Sequence, residues 1–327
     1  MLVFPALLIF ILIYESHHLP AFLAKLSMPI HSACLQLSPS ILYQPVFNAF
    51  LCGAPFPHAS TFDDLKATGL LHLVVVSGAH LLIVEQFLLY FLAKRPSLKK
   101  VIFPALIFYM LAARAAPPIM RALLSFAFKS LQKKFSLRWS ALQINAISGV
   151  LGLVLFQNDR QRSSLLLSWT CALAMAISQL NSNPADQKKS KIFIWTATLR
   201  TCIYVYVLLF PLLLPLSPPH PFSIACNLIM APLISGLFFP IILLGAAFKF
   251  LTLHLGSLRF ESIFELIDFI WCQFATILHW AAHWLPSPLE PKSLARQWLY
   301  FYVLTLNVFF LVFEVHFKRQ KMKRILL

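Results

Sequence analysis

Long apolar runs, each closed by a short polar or basic stretch, repeat along the whole chain. Runs at 69–93, 140–156, 165–180, 192–216, 222–253, 263–285 and 299–317 are each near bilayer-crossing length, since about 20 apolar residues traverse ~30 Å of hydrocarbon. The first run, 1–14, lacks a basic leader and an Ala-x-Ala cleavage site. It reads as an eighth, short span or a membrane-bound start rather than a cleaved signal. The mixed stretch 15–66 holds prolines at 20, 29, 39, 45, 55 and 57, with a weaker apolar segment at 41–54 that dips into the interface or re-enters. The run 101–128 is different. It exceeds one span and contains Arg114, Pro117, Pro118 and Arg121, yet the loops on both sides, 94–100 and 129–138, are basic. Two arrangements fit: a hairpin of two short helices broken near the prolines, or one long kinked helix. Broken backbone at membrane depth is tolerated only against protein or water. The pattern predicts an all-α polytopic membrane protein, a helical bundle with about eight spans plus a broken or re-entrant element.

Composition agrees and adds an orientation. Apolar residues make up 59% of the chain and charged residues 12%, too few to coat a soluble core of this size. Lys plus Arg number 27 against 11 Asp plus Glu, a formal charge of +16. In a membrane protein such an excess gathers on cytoplasmic loops facing anionic lipid. Loops 94–100, 129–138, 188–191 and 256–261 and the tail 318–324 then lie inside, and loops 157–163, 217–221 and 286–296 outside, with Arg160 and Arg162 the misfits. The chain divides into an N-terminal short span and periplasmic or interfacial segment (1–68), a transmembrane domain (69–317) and a basic cytoplasmic tail (318–327). Six cysteines form no Cys-x-x-Cys pair. Cys34 and Cys52 fall on the outer side and either join in a disulfide or stay as two free thiols. No Gly-x-Gly-x-x-Gly, no phosphate loop and no His-Asp-rich zinc signature occurs, so no cofactor, no metal and no built-in ATP motor are expected.

Charge inside an apolar run needs a reason, which singles out His72, His80, Glu85, Arg114 and Arg121. Ser77 and His80 are three apart and share a face if the helix is regular. Gly78 allows close helix approach or a local break. Glu85 either pairs with Arg114 or Arg121 across the bundle, or leaves Arg121 to face a water-filled path carrying a polyanion. The amide of Asn227 is placed to bridge helices while Pro232 bends its span. Ser77, His80 and Glu85 lie close enough in sequence to meet, but no strand-turn-helix elbow surrounds the serine, so membrane catalysis is a minor reading and a packing contact the plain one.

These segments, in this order, resemble the ComEC family of inner-membrane DNA-uptake proteins over roughly residues 50–250. Gly53 and 62–69 (Phe-Asp-Asp-Leu-Lys-Ala-Thr-Gly) are similar to the approach to the family's central motif. The centre, 69–80, reads Gly-Leu-Leu-His-Leu-Val-Val-Val-Ser-Gly-Ala-His, against Gly-Leu-x-His-Leu, an apolar run and Ser-Gly-x-His. Pro118-Ile-Met-Arg121-Ala122 resembles the family segment ending in Arg-Ala, and Asn227-Leu-Ile-Met-Ala-Pro232 its later Asn-Leu-x-x-x-Pro element. At 158–169 the family's Gly-Phe-x-Leu-Ser-Phe-like stretch is reduced to Leu167-Ser168-Trp169. Full-length relatives usually add a soluble OB-like domain and a metallo-β-lactamase-like domain, so the similarity covers the channel portion.

The resemblance implies a channel passing single-stranded DNA into the cytoplasm during natural transformation. His72, Ser77, Gly78, His80, Glu85, Arg114, Arg121, Asn227 and Pro232 would be the DNA-path or motif residues, and the chain would not be an enzyme. A few scattered cations suit transit, because a conduit must also release its cargo. The implied partners are single-stranded DNA, a periplasmic DNA receptor, a cytoplasmic ATP-driven helicase or translocase, a separate nuclease, anionic lipids and further copies of the chain. Two rivals from other classes remain: a secondary transporter of a small anion or lipid precursor, and a non-transporting membrane scaffold.

Overall fold

In the computed structural model, residues 18–40, 42–57, 60–70, 77–92, 100–156, 158–180, 191–215, 220–255, 261–284 and 296–326 are described, and every regular element among them is helical. The His18–Leu35 helix (α1) is followed by the short Gln44–Cys52 helix (α2), and a disulfide between Cys34 and Cys52 joins their ends with Cα atoms 5.9 Å apart. The open choice between bond and free thiols is thereby closed. Helix α3 (Ser60–Ala67) ends where Gly69 takes φ 71°. The Gly69 N–H meets the Lys66 carbonyl and the Leu70 N–H that of Leu65, a Schellman ending in which Leu65 and Leu70 are both buried.

Helix α4 (Gly78–Phe91) begins after Ser77, whose extended backbone (φ −127°, ψ 168°) keeps any single helix from running through 69–93. The run 101–128 is two helices, α5 (Ile102–Ala112) and α6 (Pro117–Lys134). Between them Arg114 and Ala115 both take positive φ, 55° and 49°, at roughly 1–2 kcal/mol of strain each. Pro117 and Pro118 start α6, where a missing N–H removes nothing the helix would use. Phe103 stacks on Phe126 with centroids 6.0 Å apart, so the two helices fold back side by side. A single kinked helix is excluded. The orphan carbonyl of Ala112 at the end of α5 accepts a bond from His31 Nδ1 of α1 at 2.8 Å.

Helices α7 (Ala141–Leu155), α8 (Asp159–Leu180) and α9 (Lys191–Leu213) follow. Next comes a long element made of α10 (Ser223–Leu233), a π turn (Ile234–Phe238) and α11 (Phe239–Leu255). Helices α12 (Glu261–His283) and α13 (Arg296–Leu326) complete the chain. One buried cluster joins Phe47 and Phe50 of α2 to Phe238 and Trp271, with α4, α5 and α6 around it. A second side of the core, Leu166, Trp169, Leu209 and Val303, packs α8, α9 and α13.

Among the described residues four helices are long and apolar enough to cross a bilayer: Thr196–Leu213, Ser223–Leu255, Glu261–His283 and Gln297–His316. The count is lower than the expected eight or so, for local reasons. Gly78–Phe91 and Ala141–Leu155 are apolar but short, the first because the Ser77 cap cuts its run and the second because its whole run is only 17 residues long; Ile102–Ala112, also short, is half of the broken element. Helix α8 opens with Asp-Arg-Gln-Arg-Ser-Ser, which dilutes its hydropathy. The expected span at 1–14 lies outside the described residues.

Candidate functional site

The Ser-Gly-x-His motif is a helix start. Ser77 is the N-cap of α4, and its backbone N–H donates to Nδ1 of His80 at 2.9 Å. The imidazole does the reciprocal half of a capping box, the place Glu or Gln usually fills. An accepting Nδ1 puts the proton of the neutral ring on Nε2. The His80 ring is buried and stacked on Phe239 at 4.3 Å. Phe239 opens α11 immediately after the π turn, which changes the helix register just where the ring is met.

Gly78 brings this cap onto α6. A Cβ at Gly78 would sit 3.1 Å from Ala122 Cβ, 3.1 Å from the Pro118 carbonyl oxygen and 3.4 Å from Arg121 Nη2. The two motifs, Ser-Gly-x-His and Pro-Ile-Met-Arg-Ala, are therefore one contact.

Arg121 is buried, 6% exposed. Its Nε donates to Ser168 Oγ of α8 at 3.0 Å and its Nη1 to Asn145 Oδ1 of α7 at 3.3 Å. Asn145 in turn donates to Asn307 Oδ1 of α13 at 3.4 Å, and Asn307 to its own Val303 carbonyl at 2.8 Å. Beside this chain, Ser125 of α6 donates to Ser148 of α7 at 2.9 Å. Among the described residues no carboxylate lies in ion-pair range of Arg121. One guanidinium thus joins four helices through neutral acceptors. The surviving Leu167-Ser168-Trp169 stretch supplies two parts of this contact. Ser168 holds Arg121, and the fully buried Trp169 lies over Gly149, where a Cβ would fall 2.0 Å from the indole.

The expected pairing of Glu85 with Arg114 or Arg121 is not formed. Glu85 is half-buried on α4 and, among the described residues, makes no ion pair. Arg114 is exposed at the tip of the α5–α6 hairpin. Arg121 faces side chains of the bundle rather than an open path. Asn227 does not bridge helices, because its Nδ2 donates to the Ser223 carbonyl of its own helix at 2.8 Å. Pro232 is exposed, two residues before the π turn. His72 lies outside the described residues. The structure therefore gathers Ser77, Gly78, His80 and Arg121, and leaves Glu85, Arg114, Asn227 and Pro232 elsewhere.

Reading the charged positions alone passes over Asn145, Ser168 and Asn307, and two buried carboxylates. Asp268 of α12 accepts from the Ser40 hydroxyl and, at 3.1 Å, from the Leu42 N–H, fastening the α1–α2 loop. Glu314 of α13 accepts from Ser140 Oγ at 2.7 Å at the N-terminus of α7. Two acids in the run 263–285, Glu265 and Asp268, and one in the run 299–317 were the available signal. Among the described residues no group of three or more His, Cys, Asp or Glu is placed to hold a metal ion. The C-terminal end of α12 and α3 share a surface cleft of about 310 Å³ lined by Asp63, Asp64, Lys66, His279 and His283, where His279 Nδ1 and Asp64 are 3.0 Å apart.

Fold and site define a helical membrane protein whose polar side chains are spent on joining helices. The chain belongs to the competence protein family, whose model matches residues 58–316 and so takes in the whole Arg121 network through Asn307, and Glu314 as well. No curated protein and no solved structure matches it. A partly membrane-spanning helical fold in this family is consistent with a DNA-uptake channel.

Proposed function

We propose that this protein is the inner-membrane conduit that passes single-stranded DNA into the cytoplasm during natural transformation. The observation that carries the reading is the family match over 58–316, which encloses the contact between the Ser77 cap and Arg121. In this reading the short helices α4 to α7 complete the membrane domain with the four long ones, and the chain conducts without catalysing. The Cys34–Cys52 bond belongs in an oxidising compartment. It sets the outer end of the molecule, and His31, one turn before Cys34, holds the hairpin next to Arg114 at that end. Arg114 is then the exposed cation that meets an incoming strand, while Arg121 fixes the frame. The C-terminus is cytoplasmic. The motive force comes from a separate ATP-driven helicase or translocase, delivery from a periplasmic receptor, and strand degradation from a separate nuclease.

The test is cytoplasmic entry of labelled transforming DNA in cells lacking the chain, compared with cells re-expressing it. DNA halted in the periplasm and rescued by the wild-type chain is the expected result. Unchanged entry in the null strain, with no second copy of the gene, overturns the conduit and moves a small-anion or lipid-precursor transporter forward.

A further inference from the structure

One face of α12 does not match the lipid it would meet. The inward face, with Phe264, Ile267, Asp268, Trp271 and Leu278, is buried against the bundle. The opposite face is exposed along the whole helix and carries Ser262, Leu266, Phe269, Gln273, Thr276 and Trp280. These alternate four and three residues apart, so they stand in one row down the helix. Most of the row suits hydrocarbon. Thr276 is provided for, because its hydroxyl donates to the Cys272 carbonyl of the same helix at 2.9 Å. Gln273 is not. It is exposed, and among the described residues nothing hydrogen-bonds its carboxamide.

Depth makes this costly. Helix α12 runs from Glu261 to His283, so about 15 Å of helix separates Gln273 from the nearer end. That is beyond the reach of its side chain to water, and an unpaired amide in hydrocarbon is strongly disfavoured. At similar depth the open face of α13 shows Phe301, Leu304, Val308 and Val312, with Thr305 its one hydroxyl, a face made for lipid. A wet passage does not suit Gln273 either, because Leu266, Phe269, Ile277 and Trp280 surround it with exposed apolar side chains. What fits is another helix with a hydrogen-bonding group at the same depth. The apolar run 1–14 of this chain has no side-chain hydroxyl, amide or charge before Tyr14. A second copy of the chain supplies the group by symmetry. A carboxamide both donates and accepts, so two of them facing each other across a two-fold axis satisfy one another. Copies inserted in the same direction share an axis along the membrane normal, which sets the helices parallel and opposes like residue to like. A single amide in an apolar seam also fixes its register. The exposed acids of α12, Glu261 and Glu265, lie in its first two turns and flank the row, so they do not meet at its centre.

We propose that the open face of α12 is the docking surface for a second copy of this chain, with Gln273 hydrogen-bonded to Gln273 of the partner subunit at mid-membrane. The surface stands apart from the conduit reading and does not depend on it.

The test uses the full chain in phospholipid vesicles, with association followed by energy transfer between donor- and acceptor-labelled copies as added lipid dilutes them. The wild-type chain should associate. Gln273→Leu should weaken association about tenfold, the effect of losing two interhelical hydrogen bonds. Gln273→Asn keeps the amide and should retain most of the affinity. Because Gln273 is exposed in the single chain, neither change should disturb folding, which monodisperse elution in mild detergent reports. A second measurement fixes the face. In a background of Cys171→Ala, Cys202→Ala, Cys226→Ala and Cys272→Ala, Thr276→Cys should oxidise in membranes to an adduct of twice the chain's mass. Val312→Cys, on the open face of α13, should not. A wild-type chain that stays monomeric at every dilution overturns the proposal. So does a Gln273→Leu chain that associates as tightly as wild type. A Thr276→Cys adduct of any other mass would assign the face to a different membrane protein, and overturns it too. None of these failures touches the conduit, which labelled-DNA entry in cells decides separately.

Discussion

Arg121 offers the sharpest test of how this membrane domain holds together. Its guanidinium makes two side-chain bonds, to Ser168 and Asn145, and Asn145 passes the connection on to Asn307. A hydrogen bond to a charged group contributes about 1.5–3 kcal/mol, whereas neutral interhelical bonds in lipid average about 0.6 kcal/mol. Asn145→Leu removes the charged bond and the link to Asn307 together, and should cost about 2–3 kcal/mol. It leaves a buried guanidinium short of an acceptor. Arg121→Met removes the charge with the bond, and exchanging a buried ion for a hydrophobe of similar volume is often nearly neutral. The double variant should therefore be little worse than Arg121→Met alone, with a coupling of about 1.5 kcal/mol or more. Asn145→Asp, which sets a carboxylate against the guanidinium, should retain more stability than Asn145→Leu. The assay is unfolding of the full chain by SDS titration from mild detergent micelles. Additivity of the two single variants within about 0.5 kcal/mol would refute a shared network.

Three further outcomes follow from particular contacts. Gly149→Ala places a methyl 2.0 Å from the Trp169 indole, so α7 and α8 must part. Folded protein recovered from membranes should fall sharply, with partial rescue by Trp169→Phe. Cys34→Ser opens a link across 18 residues, worth about 3 kcal/mol by loop entropy, and the same SDS titration should show that loss. Arg114→Ala should lower labelled-DNA entry severalfold at unchanged protein abundance, because the side chain is exposed. Arg121→Ala should instead lower abundance. The reverse pattern would exchange their roles.

The helical class and the positions of most apolar runs were legible because bilayer-length hydropathy is a strong, local signal. The break in 101–128 was legible as well, since Pro117, Pro118 and two arginines contradict a simple span. The span count was not, because it turns on where helices end. Ser77 cuts a run whose hydropathy continues unbroken, and the helix of the run 140–156 covers only Ala141–Leu155. At the site, Ser77, Gly78, His80 and Arg121 stand out as polar or small residues in an apolar context, but their meeting depends on two helices distant in sequence crossing at Gly78. The partners of Arg121 were hidden for a different reason. Charge leads one to look for a carboxylate, and the structure satisfies the guanidinium with serine and asparagine, residues common enough in membrane helices to pass unremarked.

That choice of partners bears on how such a domain can serve DNA. A carboxylate beside Arg121 would cancel its charge, and one lining a passage would repel phosphate. Serine and asparagine hold the guanidinium in place while leaving its positive potential intact in surroundings of low dielectric, where it is weakly screened. The two carboxylates buried in the long helices, Asp268 and Glu314, are each turned onto backbone or hydroxyl donors at the ends of other elements. Buried acids are thus spent on fastening loops and caps, and among the described residues the buried cation has no opposing ion. With Arg114 exposed at one end of α6 and Lys133 and Lys134 at the other, the charge along this helix is positive from tip to tip. A polyanion moving beside it meets attraction at both ends and no fixed negative charge on α6 itself. Exposed, singly placed cations at the ends favour capture followed by release, whereas a dense buried cluster would favour retention.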